Sequence, residues 1–319
     1  MLFSVFLLII GLIVLVAGGE FLVRGASSIA LRASISPLVI GLTIVAFGTS
    51  APELFISLQS ALKGSPDLAM GNVVGSNICN LALVLGITAI IFPVPVQKDS
   101  MRLDWPVTMG SSVLLYLLVQ DLLLSYIEGG VFVAILLAYT SFVIVKSRRQ
   151  NKGQQEFLEE ADVPSEPSNS VWKDAVYIIL GTIALAFGSE WFVNGAKALA
   201  LSFGVTERVI GITVLALGTS LPELVTAIVA AFRKATDIAV GNLMGSNIFN
   251  ILSILGITSL IKPISVSELI VGQDMLWMLG ITALVLPMML IMKKITRIEG
   301  ALLLSIYSYY IYTVVQNPF

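Results

Sequence analysis

Apolar runs of about 20 residues, parted by short polar breaks, recur along the whole chain, and a run of that length crosses the hydrocarbon core of a bilayer. Ten such spans are expected, near residues 2–23, 35–61, 68–92, 104–120, 126–146, 174–194, 207–232, 238–261, 274–292 and 298–315. The pattern predicts an all-α membrane protein. The first run has the length of a secretory leader. It contains Gly18, Gly19 and Glu20, however, and a close copy begins at residue 181, so it reads as a retained structural part.

Residues 11–96 align with 181–266 at a constant offset of 170 and without a gap, and 38 of those 86 positions are identical. GLTIVAFGTSAPEL (41–54) pairs with GITVLALGTSLPEL (211–224), and DLAMGNVVGSNICN (67–80) pairs with DIAVGNLMGSNIFN (237–250). Each half then holds five spans. Five is odd, so the second half starts from the opposite side of the membrane. The expected fold is two inverted five-helix repeats, with a substrate site where the repeats meet near the bilayer midplane. Three units follow: 1–146 as the first repeat, 147–173 as a polar linker and 174–319 as the second repeat.

Composition sharpens this picture. Hydrophobic residues make up 57% of the chain and charged residues 12%, with a mean hydropathy of +0.96, which makes lipid the solvent. A net charge of −2 speaks against a nucleic-acid partner. With no histidine and only Cys79, imidazole proton relays, internal disulfides and ordinary zinc or copper sites are excluded. No cofactor, no obligate protein partner and no enzyme chemistry is expected. Basic residues fall unevenly about the spans. With the N-terminus outside, 14 of the 18 Lys and Arg residues lie in inner loops and 4 in outer ones. The positive-inside rule then places both termini outside the cell (inner) membrane and the linker in the cytoplasm.

The chemistry concentrates in spans two and seven. Gly48-Thr49-Ser50-Ala51-Pro52-Glu53 recurs as Gly218-Thr219-Ser220-Leu221-Pro222-Glu223. Proline has no N–H for the carbonyl four residues back and its ring clashes there, so both helices are expected to break, the first between Ala46 and Pro52. Irregular backbone survives at membrane depth only where it faces protein or a wet cavity. Glu53 and Glu223 sit beside the breaks. A charge at that depth costs roughly 2.5–3.5 kcal/mol on insertion scales, and Lys and Arg are expected only in loops and at span ends. The balancing charge must be a proton or a bound cation. Spans three and eight add Ser76 and Ser246, with Asn80 and Asn250 four residues on along the same helix face.

The pooled groups are the two carboxylates, the hydroxyls of Thr49, Ser50, Thr219, Ser220, Ser76 and Ser246, amide oxygens, and backbone carbonyls such as those of Ala46 and Ala216. Hard oxygens suit calcium and equally sodium, which has nearly the same radius. Gly71, Gly75, Gly241 and Gly245 read as close-packing positions. Asp67 and Asp237 read as helix caps, and Glu20 and Glu190 as interfacial residues or a cation funnel. Asn72 and Asn242 fit either helix packing or cavity lining.

The paired GTS-x-PE and GN-x-x-GSN-x-x-N segments resemble the alpha repeats of the calcium/cation antiporter superfamily, above all its compact prokaryotic sodium/calcium exchanger branch, over essentially the whole chain. The resemblance implies a core of spans two to five and seven to ten, across which spans one and six slide. It implies ligands at the carbonyls of Ala46 and Ala216, and at Thr49, Ser50, Glu53, Ser76, Asn80, Thr219, Ser220, Glu223, Ser246 and Asn250. Asparagine at 250, where a potassium-coupled branch carries aspartate, argues against potassium coupling. The proton-coupled branch carries GN-x-x-E in place of GTS-x-PE. Sodium/calcium exchange by alternating access is therefore expected, with proton/calcium antiport, or antiport of another divalent ion, as the alternative.

The orientation is testable with single cysteines in a Cys79→Ala background. An impermeant thiol reagent added to intact cells should label Pro318→Cys and leave Gln155→Cys unlabelled. The reverse pattern would invert the topology.

Overall fold

The computed structural model describes residues 2–149, 168, 170–204 and 216–316. Its helices are α1 (Leu2–Ala33), α2 (Pro37–Thr49), α3 (Ala51–Leu62), α4 (Pro66–Ile91), α5 (Trp105–Leu118), α6 (Tyr126–Arg149), α7 (Val171–Ser202), α8 (Ala216–Thr219), α9 (Leu221–Phe232), α10 (Thr236–Ile261), α11 (Ile270–Met292) and α12 (Arg297–Gln316). Seven are long and apolar enough to cross a membrane, or eight when α2 and α3, bent by 46°, count as one span. The span expected at 104–120 is α5 preceded by a π-helical turn at Ser100–Asp104. The span expected at 207–232 can be followed from Ala216 on. Its earlier part lies outside the described residues, as does most of the 147–173 linker.

Two expected boundaries are corrected. Spans one and six were expected to end at 23 and 194, but α1 and α7 each run for 32 residues, to Ala33 and Ser202. Arg24, Arg32 and Lys197 are therefore helical residues and not loop residues. Local pairing makes this possible. Arg24 bonds Glu20 one turn back, and Arg32 reaches Asp174 at 3.3 Å. A helix that balances its charges in this way need not stop at them.

α1 and α7 lie against each other in antiparallel fashion along a seam of glycines spaced by seven. A Cβ on Gly11 would meet the backbone of Phe192 at 2.6 Å, and one on Gly181 would meet that of Leu22 at 2.7 Å. Gly18, Gly25, Gly188 and Gly195 are as tight. In lipid, where no hydrophobic force drives helices together, such close backbone approach supplies the attraction. The contacts exchange at the repeat offset: Gly11 on Gly188 and Phe192 mirrors Gly181 on Gly18 and Leu22. The outer face of α1 carries Phe3, Phe6, Ile9 and Ile13, all exposed.

α4 and α10 are the most buried long helices. Gly241 and Gly245 bring α10 onto α2, where a Cβ would stand 2.3 Å from the Leu38 carbonyl and 2.6 Å from that of Leu42. Close packing is thus met for these two. No described residue comes within 4 Å of a Cβ at Gly71 or Gly75. Both core helices contain a π-turn, at Cys79–Val84 and Asn250–Leu255. Two short antiparallel pairings tie the halves: β1 (Val94–Pro95) with β4 (Lys294–Ile295), and β2 (Leu123–Leu124) with β3 (Ile264–Ser265). The strands of each pair come from different halves, and the two pairings exchange under the repeat.

The acidic residues expected as helix caps lie just inside, in the first turns of α4 and α10 whose N-caps are Ser65 and Ala235, and they join the halves instead. Asp67 accepts the Ser267 amide N–H at 3.1 Å, and Asp237 accepts from Gln97 Nε2 at 2.5 Å.

The glycine seam gives a prediction. Gly181→Val forces overlap with backbone and should destabilise the purified protein by about 1–3 kcal/mol or more. Gly110→Ala, with open space around it, should leave the melting temperature within a degree or two of the parent. Thermal unfolding in detergent distinguishes them.

Candidate functional site

The site begins with the two breaks. Ser50 leaves helical geometry at φ −87°, ψ 4°, and Ser220 does the same at φ −92°, ψ 5°. Pro52 and Pro222 lie in the first turn of the helices that follow, where a missing N–H costs nothing. The expected break at Ala46–Pro52 is thus met at Ser50, and its twin falls at Ser220. The carbonyls that lose their donors are those of Gly48 and Gly218, four residues before each proline. Ser189 of α7 donates its hydroxyl to the Gly218 carbonyl. The Ala46 carbonyl, expected to be freed, accepts the Ser50 amide N–H at 2.9 Å and the Thr49 hydroxyl at 3.2 Å. Ala216 opens α8, and the segment before it lies outside the described residues.

Each break turns a helix start inward with a glutamate in its first turn, a favourable place for negative charge. Glu53 and Glu223 are both 0% exposed. Neither forms an ion pair among the described residues. The Ser50 hydroxyl donates to Glu223 Oε1 at 3.1 Å, so the first break serves the carboxylate of the second. Thr49 Oγ1 lies 3.4 Å from Ser246 Oγ, and Ser76 Oγ lies 3.5 Å from Thr219 Oγ1. The breaks and the core helices therefore meet crosswise, each half completing the other.

Several buried polar atoms here have no protein partner among the described residues: both oxygens of Glu53, Oε2 of Glu223, Oγ of Ser220, and Oδ1 of Asn80 and of Asn250. Unmade hydrogen bonds of this kind are rare in folded proteins and costly where they occur. Six oxygens on five of the sequence-predicted residues, two of them carboxylates, are thus buried and unpartnered among the described residues. This donor set suits a hard cation as transported substrate. No group of three or more His, Cys, Asp or Glu side chains is found among the described residues, so the remaining ligands would be neutral oxygens.

Residues related by the repeat are not used alike. Asn72 donates to Ser57 Oγ at 2.9 Å and to the Glu53 carbonyl at 3.3 Å, and so packs α4 on α3. Its mate Asn242 accepts the Thr49 hydroxyl at 3.1 Å and is part of the site wall. Glu20 accepts from Arg24 and from Arg233, whose Nε lies at 3.1 Å, and so ties α1 to the end of α9. Its mate Glu190 forms no ion pair among the described residues. It lines a cleft of ≈ 670 Å³ between α7 and the breaks, together with Thr182, Ala51, Pro52, Thr219 and Pro222.

Sequence reasoning assigned no role to Asn77, whose amide contacts both Asn250 and the Asn247 carbonyl. The available signal was its place three residues before Asn80, on the same buried helix.

Helices of membrane length around a buried, oxygen-rich pair of carboxylates define a multi-pass membrane carrier of cations. The profile of the family described as sodium/calcium exchanger protein matches residues 3–145 and 173–316. The chain is 36% identical to the putative antiporter CaxA of Alkalimonas amylolytica, covering 99% of this chain and 100% of that one. It is 32% identical to the sodium/calcium exchanger MaX1 of Methanosarcina acetivorans, covering 94% and 95%. Among solved structures it is similar to the sodium-calcium exchanger NCX_Mj soaked with zero Na+ and Ca2+, with TM-score 0.82, 31% identity and coverage of 98% and 99%. The chain belongs to the sodium/calcium exchanger protein family, whose members are ion exchangers and not enzymes.

Proposed function

We propose that this chain carries calcium one way and sodium the other through a single site shared by both breaks. The observation that carries the reading is the buried pair Glu53 and Glu223, with oxygens that lack partners and no basic side chain paired to them among the described residues. The ligands are Glu53, Glu223, Thr49, Ser50, Thr219, Ser220, Ser76, Asn80, Ser246 and Asn250, with the carbonyls of Ala46 and Ala216. Two negative charges balance one calcium ion or a set of sodium ions. Leaving both carboxylates unbalanced in a dry site is costly, so the carrier switches sides loaded and not empty. That asymmetry enforces antiport.

The exchange of contacts at the 170-residue offset supports ten spans in two inverted five-helix repeats. Residues 1–146 and 174–319 form the repeats and 147–173 the connecting linker. Equivalent breaks then approach the site from opposite membrane faces, as alternating access requires. The basic-residue bias supports an inner-membrane orientation with both termini outside.

Calcium-45 uptake into proteoliposomes tests the coupling. An outward sodium gradient should drive uptake, and a proton gradient alone should not. Glu53→Gln and Glu223→Gln should each reduce uptake to background, because one carboxylate cannot balance a divalent ion. Thr49→Val and Thr219→Val keep shape but remove one oxygen each. They should raise the sodium concentration needed for exchange and leave the pH profile as it was. Equal uptake on a proton gradient without sodium, indifferent to both valines, would replace sodium coupling with proton coupling.

A further inference from the structure

Of the two amides in the proposed ligand set, Asn250 is the one whose nitrogen is held by another side chain among the described residues. Its Nδ2 donates to Oδ1 of Asn77 at 3.0 Å. Asn77 in turn donates its own Nδ2 to the backbone carbonyl of Asn247 at 3.3 Å. A carbonyl can only accept, so it settles which end of the Asn77 amide is which. Asn77 must then present its oxygen to Asn250, and Asn250 must present its nitrogen to Asn77. The Oδ1 of the Asn250 amide is left buried and without a protein partner among the described residues. The relay crosses between the halves, from α10 to α4 and back to α10. Asn250 also opens the π-turn of α10, and insertions of this kind recur at functional sites.

The direction of an amide matters for a cation site. Turned one way it offers an oxygen; turned the other it offers two N–H groups, which repel a cation and remove a ligand. A carboxylate has no wrong face. We propose that Asn77 is a positioning residue that holds the Asn250 amide with its carbonyl oxygen available to the transported cation, an inference that rests on the ligand role of Asn250 proposed above. The mate of Asn77 does not reproduce the relay. Asn247 donates to the Leu243 carbonyl of its own helix at 2.7 Å, and neither polar atom of the Asn80 side chain has a partner among the described residues. Orientation by a neighbour is therefore built into the second repeat's asparagine and not the first's.

The test compares calcium KM for sodium-driven uptake in proteoliposomes in two backgrounds. Asn77→Ala should raise the KM by about 10-fold, the lower end of what loss of an outer-shell partner does to a metal site. In an Asn250→Asp background, whose side chain needs no orienting, adding Asn77→Ala should change the KM by less than about twofold. A merely structural role for Asn77 would impose the same loss in both. Should Asn77→Ala fail to accumulate in the membrane, Asn77→Leu, close in shape and without polar atoms, carries the same comparison. An unchanged KM for either folded variant, or an equal loss in the Asn250→Asp background, overturns the proposal. Asn250→Ala separates the two levels. If it loses calcium affinity while Asn77→Ala does not, the positioning role alone fails. If it keeps its affinity, the ligand role of Asn250 fails and the positioning role falls with it.

Discussion

Two carboxylates held out of water, without a basic partner among the described residues, are the constraint on which the rest of this structure depends. Burying one such charge is expensive, and burying two in one site adds to the cost. The fold accepts this arrangement only because its oxygens are shared across halves. Ser50 of the first break serves Glu223 of the second, and Thr49 reaches Ser246 and Asn242 on α10. Neither half holds a complete set. A cation is the natural completion, and a mobile cation makes the site a carrier.

The surrounding helices divide into two kinds. α4 and α10 are wedged into the centre, close against the breaks, and the short strand pairings brace the halves at their ends. α1 and α7 lie together along a glycine seam with broad lipid-facing surfaces. The close glycine contacts hold α1 and α7 together as a pair, with Leu22 and Leu185 buried and Phe21 stacked on Tyr177 across it. Polar ties fasten this pair to the rest, among them Glu20 with Arg233 and Ser189 with the Gly218 carbonyl.

Much of this was legible in the sequence because it rests on strong local signals. Pro52 and Pro222 announce the breaks, the 170-residue offset announces the two halves, and carboxylates inside apolar runs announce the site. The parts that escaped have physical reasons. Arg24 and Arg32 looked like loop residues because hydropathy cannot see that Glu20 and Asp174 accompany them on or beside the helix. The π-turns leave no residue signature, since their backbones stay in the ordinary helical region. Duplication also hid divergence. Asn72 and Asn242 are the same residue in the same motif, yet one packs helices and the other faces the site, because Ser57 lies beside the first and Thr49 beside the second. The heptad glycines of α1 and α7 were visible and could have been read as a seam.

The central claim is that both ions compete for one pair of charges. Equilibrium calcium-45 binding to the purified protein, measured over a series of sodium concentrations at constant ionic strength, tests it most directly. The account predicts a single class of calcium sites whose apparent Kd rises steadily with sodium while the number of sites stays constant, and whose binding disappears in Glu223→Gln. Calcium binding that is indifferent to sodium, or that survives intact in Glu223→Gln, would contradict it.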